Sequence, residues 1–125
     1  MFLDTSILID LIRKDAAVAG YMKKVVEREP LYSSIIQVGE VADWCYLNDL
    51  DPTTALSWLG KMCYFTDLTE DICLEGSRIK QKQRKAGKNK FSLIDGFIAS
   101  SAASSEQKLL TKDRDFDGLE NVIVL

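Results

Sequence analysis

The sequence predicts a three-layer α/β/α fold built around a parallel sheet of four or five strands. Two observations support this prediction: several short apolar runs contain no polar residue, and segments of helical periodicity separate them. Strands of this kind are buried on both faces, as in a parallel sheet covered by helices. The chain has 125 residues, of which 46% are hydrophobic, so we expect residues 1–125 to form one domain with a substantial core.

The first half of the chain is predicted to contain three strands and four helices. Met1-Phe2-Leu3 reads as a brief buried strand, and residues 4–6 form the turn to the first helix. Pro30 closes the second helix, and Asp51-Pro52 starts the fourth, because aspartate favours the N-cap and proline the first helical position. The predicted strands are residues 1–3, 31–34 and 63–66, and the helices are 7–13, 18–29, 36–46 and 52–62.

The second half is predicted to contain two helices and two strands. Thr69-Glu70 opens a long helix, which Gly87 ends. Ser92-Leu93-Ile94-Asp95 matches the capping-box pattern, and the small residues of 96–105 suit a helix packed closely against a sheet. The remaining strands are residues 108–111 and 122–125.

The composition excludes several kinds of catalytic site. Histidine is absent, which removes Ser-His-Asp triads, Cys-His pairs, histidine-ligated zinc and histidine acid–base catalysis. The three cysteines, Cys45, Cys63 and Cys73, are far apart, so we expect buried free thiols. The sequence shows neither an apolar stretch that would span a bilayer nor a signal-peptide pattern, and we expect a cytoplasmic protein.

Four carboxylates lie where a short apolar run meets a helix, or just inside that helix: Asp4, Glu40, Asp95 and Asp113. Asp4 and Asp113 follow strands that we expect to be neighbours, whereas Glu40 and Asp95 lie near helix N-termini at the same edge of the sheet. Ligands of parallel α/β sheets bind outside the carboxyl ends of the strands. We therefore expect the four side chains to converge.

Converging carboxylates repel one another, and a divalent metal ion resolves this conflict. Mg²⁺ and Mn²⁺ prefer hard oxygen ligands, which suits an acidic site without histidine. The reaction that we expect is phosphodiester hydrolysis, with one or two metal ions that activate water and stabilise the leaving oxygen.

A basic segment runs from Arg78 to Lys90 and contains seven of the sixteen basic residues, with no acid among them. The whole chain is acidic, with a net charge of −3 and a pI near 5.0, which argues against a generic nucleic-acid-binding protein. A solvated helix face is one interpretation of the segment, and a path for an RNA backbone is the other. The candidate RNA contacts are Arg78, Lys82, Arg84, Lys85, Lys88 and Lys90.

Four segments give the sequence a family resemblance. Residues 1–9 (MFLDTSILI) look like the opening of a PIN domain, and residues 33–40 resemble its second acidic motif. Residues 95–102 and 109–116 are similar to the third and fourth motifs. The set covers essentially the whole chain, which resembles the single-domain VapC-type toxins of prokaryotic toxin–antitoxin pairs.

The resemblance implies a PIN-like fold and a Mg²⁺-dependent, or Mn²⁺-dependent, endoribonuclease. Its catalytic acids would be Asp4, Glu40, Asp95 and Asp113. Asp4 and Asp95 would be the principal metal ligands, with Glu40 and Asp113 binding metal directly or through water. The resemblance also implies an RNA substrate, a homodimer and a small cognate antitoxin protein bound across the active-site groove.

Each acid also has a purely structural interpretation. Asp4 and Asp95 occupy places where aspartate caps a helix, and Glu40 is consistent with an exposed helical residue. Asp113 is consistent with a turn residue, and Asp115 is then the reserve candidate for the site.

Several other polar residues near these motifs have two interpretations. Ser6 and Thr111 either hydrogen-bond an acid or have structural roles at a helix start and a strand end. Asp10 and Asp43 are predicted to be solvated helix residues, although Asp43 lies one turn from Glu40.

A different class of function is also compatible with the sequence. The alternative to an enzyme is a non-catalytic PIN-like module that binds RNA or protein. A phosphoacceptor receiver domain fits poorly, because no acidic pair follows the first strand.

Overall fold

A computed structural model describes residues 1–125 and confirms the predicted α/β fold with a parallel sheet. The five strands are β1 (Phe2–Leu3), β2 (Leu31–Ser34), β3 (Cys63–Thr66), β4 (Leu109–Thr111) and β5 (Val122–Val124). The six helices are α1 (Thr5–Ile12), α2 (Ala16–Val26), α3 (Ile35–Leu47), α4 (Pro52–Gly60), α5 (Glu70–Lys85) and α6 (Leu93–Ser104). The strand order is β3-β2-β1-β4-β5, and every pair is parallel.

The predicted strands and helices are all present in the predicted order, and they differ from the structure mainly at their ends. α1 begins at Thr5 rather than Ile7, because Asp4 occupies the N-cap position. A single 3₁₀ turn, Arg114–Phe116, was not predicted from the sequence. Three predicted caps are confirmed by hydrogen bonds from the helix backbone to the capping side chain, at Asp51, Thr69 and Ser92.

Helices cover both faces of the sheet, which gives three layers. Leu3 and Leu110 pack in a cluster with α1 to α4, whereas Phe2 and Leu109 pack in a second cluster with α5 and α6. The chain passes from β1 to β3 through the first four helices and returns to β4 through the last two. No helix in either layer has both the length and the apolar character that crossing a membrane requires.

All three cysteines are free thiols, but the prediction that they are buried is confirmed for only two of them. Cys45 and Cys63 are buried in the layer of α1 to α4, whereas Cys73 on α5 is only half-buried. Burial raises the pKa of the Cys63 thiol to about 12, so this side chain stays protonated and serves packing.

α5 and α6 cross in direct backbone contact at Gly76 and Gly96. A Cβ atom on Gly96 would overlap the Gly76 carbonyl oxygen, and one on Gly76 would lie 2.9 Å from the Gly96 backbone. Only residues without a side chain allow the two helices to approach this closely. Because Asp95 directly precedes Gly96, this contact also helps to fix where α6 presents Asp95.

Gly76→Ala should lower the free energy of unfolding by about 1 to 3 kcal/mol, because the added methyl group forces α5 and α6 apart. Gly20→Ala is the matched control, since a Cβ atom on Gly20 would meet nothing within 4 Å. Alanine favours a helix interior by up to about 1 kcal/mol, so the control should be slightly stabilised. Urea unfolding measures both effects. A Gly76→Ala protein as stable as wild type would show that the fold does not need the close crossing.

Candidate functional site

The predicted acids lie at the carboxyl edge of the sheet, around the point where the strand order reverses. From β1 the chain proceeds to β2 on one side, and it later returns to β4 on the other. Such a switch point leaves a crevice between two neighbouring strands, where ligands of α/β proteins bind. Asp4 follows β1 and Asp113 lies just beyond β4, and the two strands are paired. The prediction that these acids follow neighbouring strands is confirmed.

Asp4 is buried but does not cap the helix that it precedes. The residue is 6% exposed, and its backbone occupies the N-cap position of α1 without a capping hydrogen bond from its side chain. Its carboxylate oxygen Oδ2 instead accepts hydrogen bonds from Thr111 Oγ1 at 2.6 Å and from Ser6 Oγ at 3.1 Å. The interpretation of Asp4 as a helix cap is therefore excluded.

The two hydroxyl groups connect Asp4 to the backbone that follows β4. Asp113 N donates to Thr111 Oγ1 at 3.0 Å, and Lys112 N donates to Ser6 Oγ at 3.2 Å. Because each hydroxyl oxygen accepts a backbone N–H, its own proton can point to Asp4. Thr111 and Ser6 therefore hydrogen-bond an acid, which decides between the two interpretations that the sequence allows.

Glu40 reaches the same edge of the sheet from α3. Its side chain is half-buried, and Thr5 Oγ1 in the first turn of α1 donates to Glu40 Oε1 at 2.6 Å. This hydrogen bond joins the helix that follows Asp4 to the helix that carries Glu40. The interpretation of Glu40 as an exposed helical residue is therefore wrong.

Two residues that support the acids were not singled out from the sequence, Thr5 and Gln37. Gln37 is completely buried, and its Nε2 donates to Leu3 O at 2.7 Å, directly before Asp4 in the chain. Its Oε1 accepts from Ser34 N at 2.8 Å and so completes a capping box at the start of α3. The spacing of this serine and glutamine was a signal present in the sequence.

Asp95 belongs to the predicted capping box and also faces other acids. Ser92 N donates to Asp95 Oδ2 at 2.8 Å, and Asp95 N donates to Ser92 Oγ at 3.0 Å. The carboxylate is half-buried, and this burial is the largest cause of its raised pKa, to which the negative charges of Asp113 and Asp115 add. A structural role and a place in the acidic cluster thus coexist at this residue.

Asp113 and Asp115 lie together in the turn that follows β4. Asp113 Oδ1 accepts a hydrogen bond from Asp115 N at 2.8 Å, so Asp113 caps the 3₁₀ turn. Of the two, Asp113 has the larger effect on the pKa of Asp95. Both negative charges therefore act on Asp95, and Asp113 stays the preferred candidate.

The acids act on one another electrostatically. Burial is the largest cause of the raised pKa of Asp4, Glu40 and Asp95, since water no longer stabilises the ionised carboxylates. Neighbouring negative charges raise these pKa values further. Asp95 raises the pKa of Asp4, and Asp4 and Asp95 together raise the pKa of Glu40. Hydrogen bonds from hydroxyl and backbone donors act in the opposite direction. Asp4, Glu40 and Asp95, which come from three separate parts of the chain, are therefore close enough to influence one another's pKa. The predicted convergence of all four acids stays a prediction.

The donor set fits a hard divalent cation, although no ligand shell is preformed. Each predicted acid uses one carboxylate oxygen in the hydrogen bonds described above, and the other oxygen takes no part in them. Oxygen donors without histidine match the preferences of Mg²⁺ and Mn²⁺. The structure contains no group of three or more acidic or cysteine side chains arranged to hold a metal ion.

The prediction that Asp10 is a solvated helix residue is wrong. Asp10 on α1 is 6% exposed, and Lys112 Nζ lies 2.6 Å from its Oδ2. The side chain is buried because α1 packs against the segment that follows β4, where Lys112 supplies the compensating charge. Asp43, by contrast, is exposed as predicted.

Three of the six candidate RNA contacts already bind other parts of the chain. Arg78 forms an ion pair within α5, Arg84 Nε donates to Phe91 O at 2.6 Å, and Lys88 Nζ donates to Arg114 O at 3.2 Å. Basic residues in the last turn of α5 also complement its helix dipole. The other three candidates are exposed and form no ion pair: Lys82, Lys85 and Lys90.

Comparison with known proteins adds independent findings. The PIN domain family model matches residues 1–121. A toxin–antitoxin complex from Klebsiella pneumoniae contains a chain of similar fold, with a TM-score of 0.76 and 22% identity over 98% of this chain and 95% of that chain. VapBC2 from Rickettsia felis, bound to a DNA fragment from its promoter, is also similar, with a TM-score of 0.78 and 16% identity over 99% and 96%.

A search among curated proteins gave no match. The two structural similarities, both at low sequence identity, concern the fold alone. The family model, in contrast, matches the sequence itself over residues 1–121, a range that contains all four acidic motifs in their predicted order. This chain therefore belongs to the PIN domain family.

Proposed function

We propose that this PIN-domain protein is a metal-dependent endoribonuclease that hydrolyses RNA phosphodiester bonds in the cytoplasm. The observation that carries the proposal is the convergence of Asp4, Glu40 and Asp95 at the switch point of the sheet, where burial and neighbouring negative charges raise the pKa of each. Buried acids that repel one another are costly for a fold and are typical of functional sites. In a chain without histidine, these carboxylates are the available hydrolytic machinery.

In this proposal Asp4 and Asp95 are the principal metal ligands, and Glu40 and Asp113 bind metal directly or through water. Mg²⁺ or Mn²⁺ bound there would stabilise charge on the phosphate and lower the pKa of the attacking water. The contribution of the chain is to position the acids. The hydroxyl groups of Ser6 and Thr111 hold Asp4 Oδ2 from two sides and restrict rotation of the carboxylate.

We further propose that the protein is the toxin of a toxin–antitoxin pair. The support is that two solved structures of similar fold are toxin–antitoxin complexes and align over nearly the full length of this chain. The assembly that we expect is a homodimer, inhibited by a small cognate antitoxin protein bound across the active-site groove. A neighbouring reading frame for a small DNA-binding protein would be the most direct genomic support.

A non-catalytic PIN-like module that binds RNA or protein is the alternative. One observation favours it: no three acidic side chains are arranged to hold a metal ion. Such a module would bind its partner without chelator-sensitive cleavage. It would also gain no stability from Mg²⁺ or Mn²⁺, because only a ligand that binds the folded state stabilises it.

Asp4→Asn should abolish Mg²⁺-dependent cleavage of RNA and leave the fold intact, because asparagine keeps the size of the side chain and removes its charge. Asp43→Asn, the same change at an exposed position of α3, should cleave RNA like wild type. Gel assays with Mg²⁺, Mn²⁺ or a chelator, together with circular dichroism, measure activity and folding separately. Full activity of Asp4→Asn would refute the assignment of this residue.

Mg²⁺ or Mn²⁺ should raise the Tm of the wild-type protein, and the increase should grow as the pH rises. Burial raises the pKa of Asp4, so the carboxyl group stays protonated, and unable to bind metal, to a higher pH than usual. In the metal-free protein, the contribution of Asp4 to stability is present below its unfolded pKa and is lost as the pH rises through the raised folded pKa.

Thermal denaturation across a pH series, with metal or chelator, measures both effects. Asp4→Asn should abolish the response to metal and weaken the loss of metal-free stability with rising pH. A wild-type Tm that responds to neither metal at any pH would favour the non-catalytic alternative.

Replacing Lys85 and Lys90 by glutamine should weaken RNA binding and reduce its dependence on salt. On single-stranded RNA, the log–log slope falls by about 0.7 for each phosphate that the protein no longer neutralises, because fewer counterions are released. Glutamine at Lys23 and Lys24 on α2 gives a control with the same reduction of charge on another helix. Fluorescence anisotropy at several salt concentrations measures the slopes. Equal slopes in both double variants would assign the basic segment to a solvated helix face.

A further inference from the structure

Gln83, near the C-terminal end of α5, binds the segment 113–117 that follows β4. Its Nε2 donates to Asp115 O at 3.0 Å and to Asp117 O at 3.3 Å. The side chain is only 4% exposed, in a helix end that is otherwise rich in exposed lysine and arginine. Buried polar side chains are normally hydrogen-bonded, and such networks make the surrounding structure rigid. The two hydrogen bonds of Gln83 therefore make rigid the segment that carries two of the candidate acids, Asp113 and Asp115.

Two further contacts join the last turn of α5 and the loop that follows it to the acidic site. Lys88 Nζ donates to Arg114 O at 3.2 Å, and Arg84 Nε donates to Phe91 O at 2.6 Å, just ahead of the capping box of α6. The ring of Phe91 packs edge to face against Phe116, with centroids 5.2 Å apart. The end of α5 and the loop after it therefore contact both acid-bearing segments that follow in the chain.

We propose that Gln83 is a positioning residue, which fixes segment 113–117 and with it the positions of Asp113 and Asp115 at the acidic site. The inference rests on the proposed function and adds a residue to it. The regular structure of the segment is one short 3₁₀ turn, Arg114–Phe116, which has few backbone hydrogen bonds of its own. The buried amide is the one contact that binds this segment at two carbonyl groups.

A neutral amide suits this place better than a charged side chain. The two acceptors are backbone carbonyl oxygens, so the side chain must offer N–H donors, which a carboxylate lacks. An ammonium or guanidinium group would instead pair with the carboxylates of the acidic segment and compete with a metal ion for them. Glutamine offers two N–H groups without net charge, and so it holds the backbone without neutralising the carboxylates.

Gln83→Met is the test variant, because methionine is similar in length and volume but has no N–H donor. Gln81→Met is the matched control, since it makes the same change at an exposed position of α5. Amide hydrogen exchange in the metal-free protein reports how firmly the segment is held, without RNA. We expect exchange over 113–117 to rise about tenfold in Gln83→Met, with no rise in α2 or in the control.

Cleavage assays add a readout that a purely structural role would not move. Gln83→Met should raise the Mg²⁺ concentration for half-maximal activity by about tenfold, because the acids are no longer held in place. The salt dependence of RNA binding should stay unchanged, since Gln83 carries no charge. Gln81→Met should match wild type in both measurements.

The outcomes distinguish the positioning role from the proposed function. Unchanged exchange over 113–117 in Gln83→Met would overturn the inference, whatever the activity of the variant. Faster exchange with an unchanged Mg²⁺ requirement in an active enzyme would overturn it as well. If the wild-type protein cleaves no RNA but Gln83→Met still exchanges faster over 113–117, the result supports the positioning role of Gln83 and refutes the proposed nuclease function.

Discussion

The site is organised around the burial of one carboxylate, Asp4, at the middle of the sheet edge. β1 is the central strand of the sheet and pairs with β4, so Asp4 emerges between helical layers that exclude water on both sides. Ionising a carboxyl group in such a place is unfavourable unless donors or a cation compensate for the lost hydration. The hydroxyl groups of Ser6 and Thr111 provide part of that compensation. The neighbouring acids add to the cost, and it is this imbalance that a divalent cation would relieve.

The hydrogen bond from Thr111 to Asp4 depends on the register of β1 and β4. Leu3 pairs with Leu110, which places Thr111 level with Asp4. A shift of one residue would exchange the two faces of a strand and move Thr111 away from Asp4. The register is held by the alternation of Leu3 and Leu110 on one face with Phe2 and Leu109 on the other. Packing of the core therefore sets the geometry of the polar site.

The fold and the acids were predictable from the sequence because local patterns determine them. Unbroken apolar runs indicated the strands, and capping patterns at Thr69 and Ser92 indicated the helix starts. The surroundings of the acids were not predictable in the same way. Asp10 looks like a solvated helix residue until Lys112, far away in the sequence, is placed beside it. Gln83 lies within a basic segment, and only the tertiary structure shows that its side chain faces inward.

The distance along the chain between Asp4 and its strongest hydroxyl partner has a consequence for the order of assembly. Thr111 lies 107 positions after Asp4, and β4 is the fourth of five strands. Domains acquire such long-range contacts only after the intervening chain has been synthesised and folded. A nascent chain that already contains Asp4, Glu40 and Asp95 therefore still lacks the hydroxyl group that binds Asp4 from the end of β4. For a nuclease, this order would delay completion of the acidic site until the segment that carries Thr111 has been synthesised.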